Sequence, residues 1–361
     1  MPGIADIDKN LKVVTSIDKP DLKFYDVRET TEFDIYGLYS PRSEEIFRRV
    51  PADVAQATNE GVAVLANHTA GGRIRFTTNS SYVAIHAVQA ENSPGHMPHM
   101  TITGSSGFDL YLYQDGKFTY WRSFIPPTDK KGGYESIIEF PDRAERELLI
   151  HMPLYDEVHD LYIGLQADAT LECGSDYKYD KPVVFLGSSI TQGGCASRPG
   201  NAYQAIISRE LDCDHINLGF SGSCRGEQAM VDFVCDQDMS VFFLDYDHNA
   251  PTPEHLAATH ENVYCCVRAA HPDVPIIMAS RTDLPITEGM QQDTDARRAI
   301  VKATYDKAIA AGDRNVYYID GQTVFPGRGG DSCTVDGCHP NDLGFYAMAQ
   351  VFGEAIRKVI K

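Results

Sequence analysis

Pro182-Val183-Val184-Phe185-Leu186-Gly187-Ser188-Ser189-Ile190-Thr191 sets a short apolar run against a glycine and two serines. A brief apolar run bounded by turn residues is the pattern of a strand buried on both faces of a parallel sheet. A serine on a tight glycine-containing turn between such a strand and a helix has its hydroxyl at the sheet edge and its N–H near a helix N-terminus. An acyl-transfer nucleophile needs that geometry, and a plain helix cap would use the same residues.

The pattern repeats toward the C-terminus. His215-Ile216-Asn217-Leu218, Val241-Phe242-Phe243-Leu244, Pro275-Ile276-Ile277-Met278 and Val316-Tyr317-Tyr318-Ile319 are further short apolar runs. Helical stretches are expected between and after them, around residues 203–211, 228–234, 253–270, 294–311 and 344–359. Alternating strand and helix predicts an α/β domain, a parallel sheet with helices on both faces. Ligands of such sheets bind at the carboxyl ends of the strands, so the residues after each strand carry the functional reading.

Toward the N-terminus the period changes to two. Leu22-Lys23-Phe24-Tyr25-Asp26-Val27, Arg73-Ile74-Arg75-Phe76-Thr77-Thr78, Tyr82-Val83-Ala84-Ile85-His86-Ala87-Val88 and Phe108-Asp109-Leu110-Tyr111-Leu112-Tyr113 are short and rich in β-branched and aromatic residues. Residues 147–152 and 161–165 continue the series, and Gly71-Gly72, Asn79-Ser80-Ser81 and Asp115-Gly116 supply turns. Many short strands so spaced predict a β-sandwich of jelly-roll type. The expected division is a sandwich over residues 1–175 and an α/β domain over 180–361, with the linker within 172–181.

Composition narrows the partners. The 361 residues hold 32 Lys and Arg against 51 Asp and Glu, a net charge of −19. There are 17 basic and 27 acidic residues before residue 180 and 15 and 24 from there on, so neither half offers a basic face to nucleic acid or an anionic membrane. No apolar run approaches the roughly 20 residues that span a bilayer. Nine scattered cysteines, and an N-terminus (Met1-Pro2-Gly3-Ile4-Ala5-Asp6) without basic and apolar signal regions, lead to the expectation of a reducing cytoplasm.

Four blocks at strand ends carry chemistry. Gly187-Ser188-Ser189 offers a nucleophile. Gly219-Phe220-Ser221-Gly222 offers a backbone N–H, since glycine lets the chain approach a ligand closely. Asp245-Tyr246-Asp247-His248-Asn249 offers a side-chain amide in Asn249, which could instead cap the next helix; its acidic residues and His248 match no zinc pattern. Asp336-Gly337-Cys338-His339 offers a base and, three residues before it, a carboxylate to orient it. Cys333 and Cys338 are expected to be free thiols, because no second Cys/His cluster completes a metal site.

In this order the blocks resemble the SGNH (GDSL-type) hydrolase superfamily, and Gly107-Phe108-Asp109-Leu110-Tyr111 resembles the Gly-x-Asp-Leu-Tyr signature of a β-rich N-terminal domain found in one bacterial branch. The resemblance implies a flavodoxin-like three-layer α/β/α catalytic domain. It implies Ser189 as nucleophile, His339 as base, Asp336 as its orienter, and an oxyanion hole from Ser189, Gly222 and Asn249. Ser188 stands where the family usually has Asp, and only Asn249 survives of the third block. The layout is similar to that of carbohydrate esterases that deacetylate plant glycans, mannan included. That similarity implies an acetylated oligosaccharide or small acetyl ester as substrate, with no metal or organic cofactor, and leaves self-association open. An esterase, lipase or thioesterase acting on another ester is the alternative within the superfamily; a non-catalytic glycan-binding protein is the alternative outside it. Trp121, the only tryptophan, and residues 90–99 are candidates for a wall that stacks on sugar, and Trp121 equally suits the sandwich core.

Overall fold

The computed structural model describes residues 17–91 and 98–361. Its N-terminal half is antiparallel: β1 (Leu22–Asp26), β2 (Asp34–Tyr36), β3 (Arg73–Thr78), β4 (Tyr82–Gln89), β5 (Phe108–Gln114), β6 (Lys117–Phe124), β7 (Gly133–Glu139), β8 (Arg146–His151), β9 (Val158–Gln166) and β10 (Leu171–Cys173). Short helices α1 (Ala52–Thr58), α2 (Glu60–Leu65) and α3 (Ile102–Ser105) interrupt the series. One sheet runs β1-β9-β4-β7; the other runs β10-β3-β8-β5-β6, with β2 added to β3.

Side-chain alternation explains both faces of the second sheet. Ile74 and Phe76 of β3 join Val83, Ile85, Leu110, Leu148, Ile150 and Ile163 in one core between the sheets. Arg73 and Arg75 point the other way and are nonetheless buried. Arg73 pairs with Asp214 and donates to the carbonyl of His215 at 3.0 Å, while Arg75 pairs with Glu147 at 3.0 Å. The outer face of the sandwich is therefore where the second half docks. Period-two strand patterning cannot show this, because an arginine in a strand reads as solvent-facing.

The C-terminal half is β11 (Val183–Gly187), α4 (Ser189–Gln192), α5 (Tyr203–Leu211), β12 (His215–Gly219), α6 (Gln228–Cys235), β13 (Val241–Asp245), α7 (Pro253–Ala270), β14 (Ile276–Ala279), α8 (Glu288–Ala310), β15 (Val316–Ile319) and α9 (Asp342–Arg357). The five strands are parallel in the order β12-β11-β13-β14-β15, the 2-1-3-4-5 order of flavodoxin-like sheets. Alternate residues feed two cores. Val184, Leu186, Phe242, Leu244, Ile276 and Met278 pack on the side of α6, α7 and α8. Val183, Phe185, Val241, Phe243 and Ile277 pack on the side of α5 and α9.

The expected helix at 294–311 begins earlier, at Glu288, capped by the Thr287 side chain. Its first turns are exposed and polar, so the apolar period that signals a helix is missing there. Among the described residues no helix is long and apolar enough to cross a membrane.

Candidate active site

The end of β11 decides which serine does what. Ser188 is the N-cap of α4: its Oγ accepts the Ile190 N–H at 3.2 Å, and its own N–H donates to Thr191 Oγ1 at 3.1 Å. Its neighbour Ser189 is the first residue of the helix and turns its hydroxyl to His339, with Oγ 3.0 Å from Nε2. The other ring nitrogen, Nδ1, lies 2.7 Å from Asp336 Oδ2. The N–H groups of Cys338 and His339 close on Asp336 Oδ1 at 2.9 and 2.7 Å. Burial pushes the Asp336 carboxyl up. Hydrogen bonds from the His339 ring and from these N–H groups outweigh that and hold it below the usual carboxylate range. A hydroxyl, an imidazole and an ionised carboxylate thus stand in line, as proton removal from the hydroxyl requires.

Asn249 is buried with its amide donating to the Phe220 carbonyl at 2.8 Å and, more weakly, to Gly187 at 3.5 Å. It does not cap α7, whose N-cap is Thr252. The amide lies between the ends of β11 and β12, beside the serine turn. Gly222 sits on the turn after β12 with φ of +63°, a conformation that disfavours any side chain although space is open there. That turn is tied to the serine helix: the Ser221 N–H donates to Gln192 Oε1 at 3.0 Å.

Beneath the serine a carboxylate braces the turn. Thr191 Oγ1 donates to Asp245 Oδ1 at 2.6 Å and Tyr203 OH to Oδ2 at 2.9 Å. Gly187 must be glycine here, because a Cβ would lie 2.0 Å from both Asp245 Oδ1 and Thr191 Oγ1. A carboxylate from β13 thus serves the turn whose own sequence has Ser188 in place of the family's Asp.

Burial pushes Asp245 up to about 7, against the two hydroxyl donors. An unfolded Asp ionises near pH 4, so between about pH 4 and 7 the folded chain holds about one extra proton. This contribution to stability is full below that window and is lost as pH rises through it. Asp245→Asn is expected to flatten the decline of unfolding free energy between about pH 5 and 7 by about one proton's slope, measured by urea denaturation. An unchanged slope would mean that Asp245 ionises normally.

The sandwich half holds the same turn from the other side. Tyr155 OH donates to the Ser189 carbonyl at 3.1 Å. Gln192 Nε2 donates to the Leu154 carbonyl at 3.1 Å and approaches His68 Nδ1 at 3.3 Å. The buried Arg49 guanidinium donates to the carbonyls of His68 at 2.8 Å and Asn217 at 3.0 Å and lies 4.4 Å over the Phe220 ring. Asp109 accepts the Gly200 N–H at 2.9 Å, and the Tyr111 ring fills the space where a Gly200 side chain would stand. Thr101 and Thr103 donate to the Ser197 carbonyl at 3.0 and 2.6 Å.

Residues 180–357 match the GDSL-like lipase/acylhydrolase family, and residues 22–171 match the N-terminus of SGNH-hydrolase-type esterases. A crystal structure described as a GDSL-like lipase from Bacteroides ovatus is 30% identical, with a TM-score of 0.84 over 94% of this chain and 99% of that one. The chain belongs to the GDSL-like lipase/acylhydrolase family. It is a serine ester hydrolase. The family fold is shared at 18% identity with the salicylyl-acyltransferase SsfX3 of a tetracycline biosynthetic pathway (TM-score 0.75; 94% of this chain, 99% of that one). It is shared at 13% identity with a family two carbohydrate esterase from Cellvibrio japonicus (TM-score 0.62; 94% and 98%). No curated protein sequence matches the chain.

In this GDSL-like hydrolase Ser189, His339 and Asp336 meet as one chain of contacts, and Asn249 stands beside the serine turn. Trp121 packs on Phe140 with ring centroids 5.9 Å apart, against the sandwich core. Of the segment 90–99, residues 92–97 lie outside the described residues, while the His99 ring stands 5.4 Å from that of His339. Asp247 accepts the Arg281 N–H at 2.9 Å, and His248 Nδ1 faces Cys338 Sγ at 3.7 Å. All nine cysteines are free.

Arg49, Tyr155 and Gln192 carry no local sequence signal, because they act across long stretches of chain; His99 ends the 90–99 segment expected to form a wall, and Asp245 stands only in an acidic block that matches no zinc pattern. A carboxylate following a buried strand, with a Thr on the adjacent turn, is the one local hint that was available.

Proposed function

We propose that this hydrolase is a serine carbohydrate esterase that removes O-acetyl groups from oligosaccharides of plant glycans, mannan or another hemicellulose. The observation that carries the mechanism is the unbroken contact chain from Ser189 Oγ through His339 to Asp336, at 3.0 and 2.7 Å. His339 takes the serine proton as Oγ attacks the acetyl carbonyl, and the N–H groups of Ser189 and Gly222 and the amide of Asn249 receive the oxyanion. His339 then protonates the departing sugar hydroxyl, and water, activated by the same imidazole, releases acetate.

Asn249→Ala is expected to lower kcat by about 100- to 1,000-fold with a smaller change in KM, because the amide acts where charge develops. Steady-state kinetics on an acetyl ester measure it. Equal losses in kcat and in thermal stability would point to a purely structural amide.

The acetyl-sugar reading draws support from fold neighbours named as carbohydrate esterases, one of them an acetyl xylan esterase from Butyrivibrio proteoclasticus. Mass spectrometry of acetylated mannan, xylan and xyloglucan oligosaccharides before and after incubation tests it: the expected result is loss of acetyl mass, strongest for one glycan. The likeness to the Bacteroides protein described as a lipase favours a second reading, hydrolysis of a longer acyl ester. Activity that rises with acyl length while acetylated glycans stay intact would select that reading.

We further propose a domain boundary between residues 175 and 180, and a jelly-roll winding for the sandwich. The order β1-β9-β4-β7 facing β3-β8-β5-β6 supports the winding, since two interleaved Greek keys produce that order.

A further inference from the structure

We propose that His99, Asp336 and His339 form a zinc site, and that zinc bound there switches the esterase off. Two imidazoles and a carboxylate are the donor set zinc favours, whereas magnesium and calcium prefer oxygen ligands alone. One donor atom from each residue lies within 4.8 Å of the others. Bond lengths of about 2.0–2.2 Å around a tetrahedral ion need donors a little over 3 Å apart, so small side-chain rotations complete the set and leave the fourth position to water.

Access and placement favour binding. His99 and Asp336 are exposed and His339 is partly so, which lets an ion arrive from solvent without unfolding. Both supporting loops are held. Thr101 and Thr103 anchor the chain just after His99 to the Ser197 carbonyl. The other loop is closed by the Val335 N–H on the His339 carbonyl at 2.9 Å and by the Leu284 N–H on the Gly337 carbonyl at 2.7 Å. A chain of net charge −19 also draws cations toward it.

Zinc and catalysis compete for the same electrons. Coordination through His339 Nε2 uses the lone pair that receives the serine proton. Coordination through Nδ1 displaces the proton that Asp336 holds. Either ends the relay, and removing the ion restores it. The inhibition rests on His339 being the base; the binding does not.

The test has two arms. In the first, zinc chloride is titrated calorimetrically into Ser189→Ala protein with and without His99→Ala. In the second, zinc chloride is added to the active enzyme and to its His99→Ala and His99→Asn variants hydrolysing p-nitrophenyl acetate, and EDTA then follows. The expected results are one His99-dependent ion per chain and inhibition reversed by EDTA. The inhibitory midpoint, measured against each variant's own metal-free rate, should rise at least about tenfold in both His99 variants. Binding or inhibition that ignores His99 overturns the site, and His99-dependent binding without inhibition overturns the switch. An enzyme inert toward every ester would count against the proposed function, while the calorimetric arm would still decide the site.

Discussion

Ser189→Ala is expected to lower kcat on an acetyl ester by a factor on the order of 10⁴ to 10⁶, leaving KM within a small factor of wild type. The size follows from the unit the serine belongs to. With Oγ gone, the imidazole 3.0 Å away has no nucleophile to deprotonate, and only the Asn249 amide and nearby N–H groups remain to stabilise charge. Stability should hardly change, because the hydroxyl that caps the helix belongs to Ser188. Ser188→Ala is the contrasting control: it forfeits the cap, about 1 kcal/mol, while the nucleophile stays in place. Initial rates and thermal melts on the two variants separate the roles, and near-normal activity in Ser189→Ala would sink the nucleophile assignment.

Asp336→Asn is expected to cost about 10³- to 10⁴-fold in kcat. The asparagine oxygen can still accept the N–H groups of Cys338 and His339, so the loop should keep its shape. Its amide nitrogen, however, would then face Nδ1 as a donor. That arrangement favours the imidazole tautomer with a proton on Nε2, which cannot accept one from Ser189. Because hydrogen bonds hold the Asp336 carboxyl below its ordinary range, it stays ionised as pH falls toward 5, and its own contribution to stability is lost only in stronger acid. The loss in the variant should therefore persist across pH 6 to 8 in a kcat profile. A loss that disappears at high pH would mean that Asp336 acts only by holding charge, not by orienting the ring.

Much of this was legible in local pattern. The five parallel strands show as short apolar runs because both their faces are covered, and the four chemical blocks show because ligand-facing residues follow strand ends in this type of sheet. Asp336 and His339 are three residues apart, so their contact is nearly a local property of one turn. The Gly107-Phe108-Asp109-Leu110-Tyr111 segment was legible only as a resemblance. The structure supplies its physical content, a carboxylate and a ring that clamp Gly200 on the loop after the serine helix.

Sequence by itself determined the two architectures, the strand that ends in the serine turn, and the blocks that hold Ser189, Asp336 and His339. Periodicity and turn chemistry depend on neighbours a few residues apart, and those are written in order along the chain. Only the tertiary structure decided which of two adjacent serines caps and which faces His339, that Asn249 spans two strand ends instead of capping a helix, and that Asp245 braces the turn. It also brought Arg49, Tyr155 and His99 from the sandwich half to the site. Those outcomes depend on partners far along the chain, 34 residues apart for Tyr155 and Ser189 and 168 for Arg49 and Asn217. Burial there turns arginines and carboxylates that read as surface charge into fixed struts.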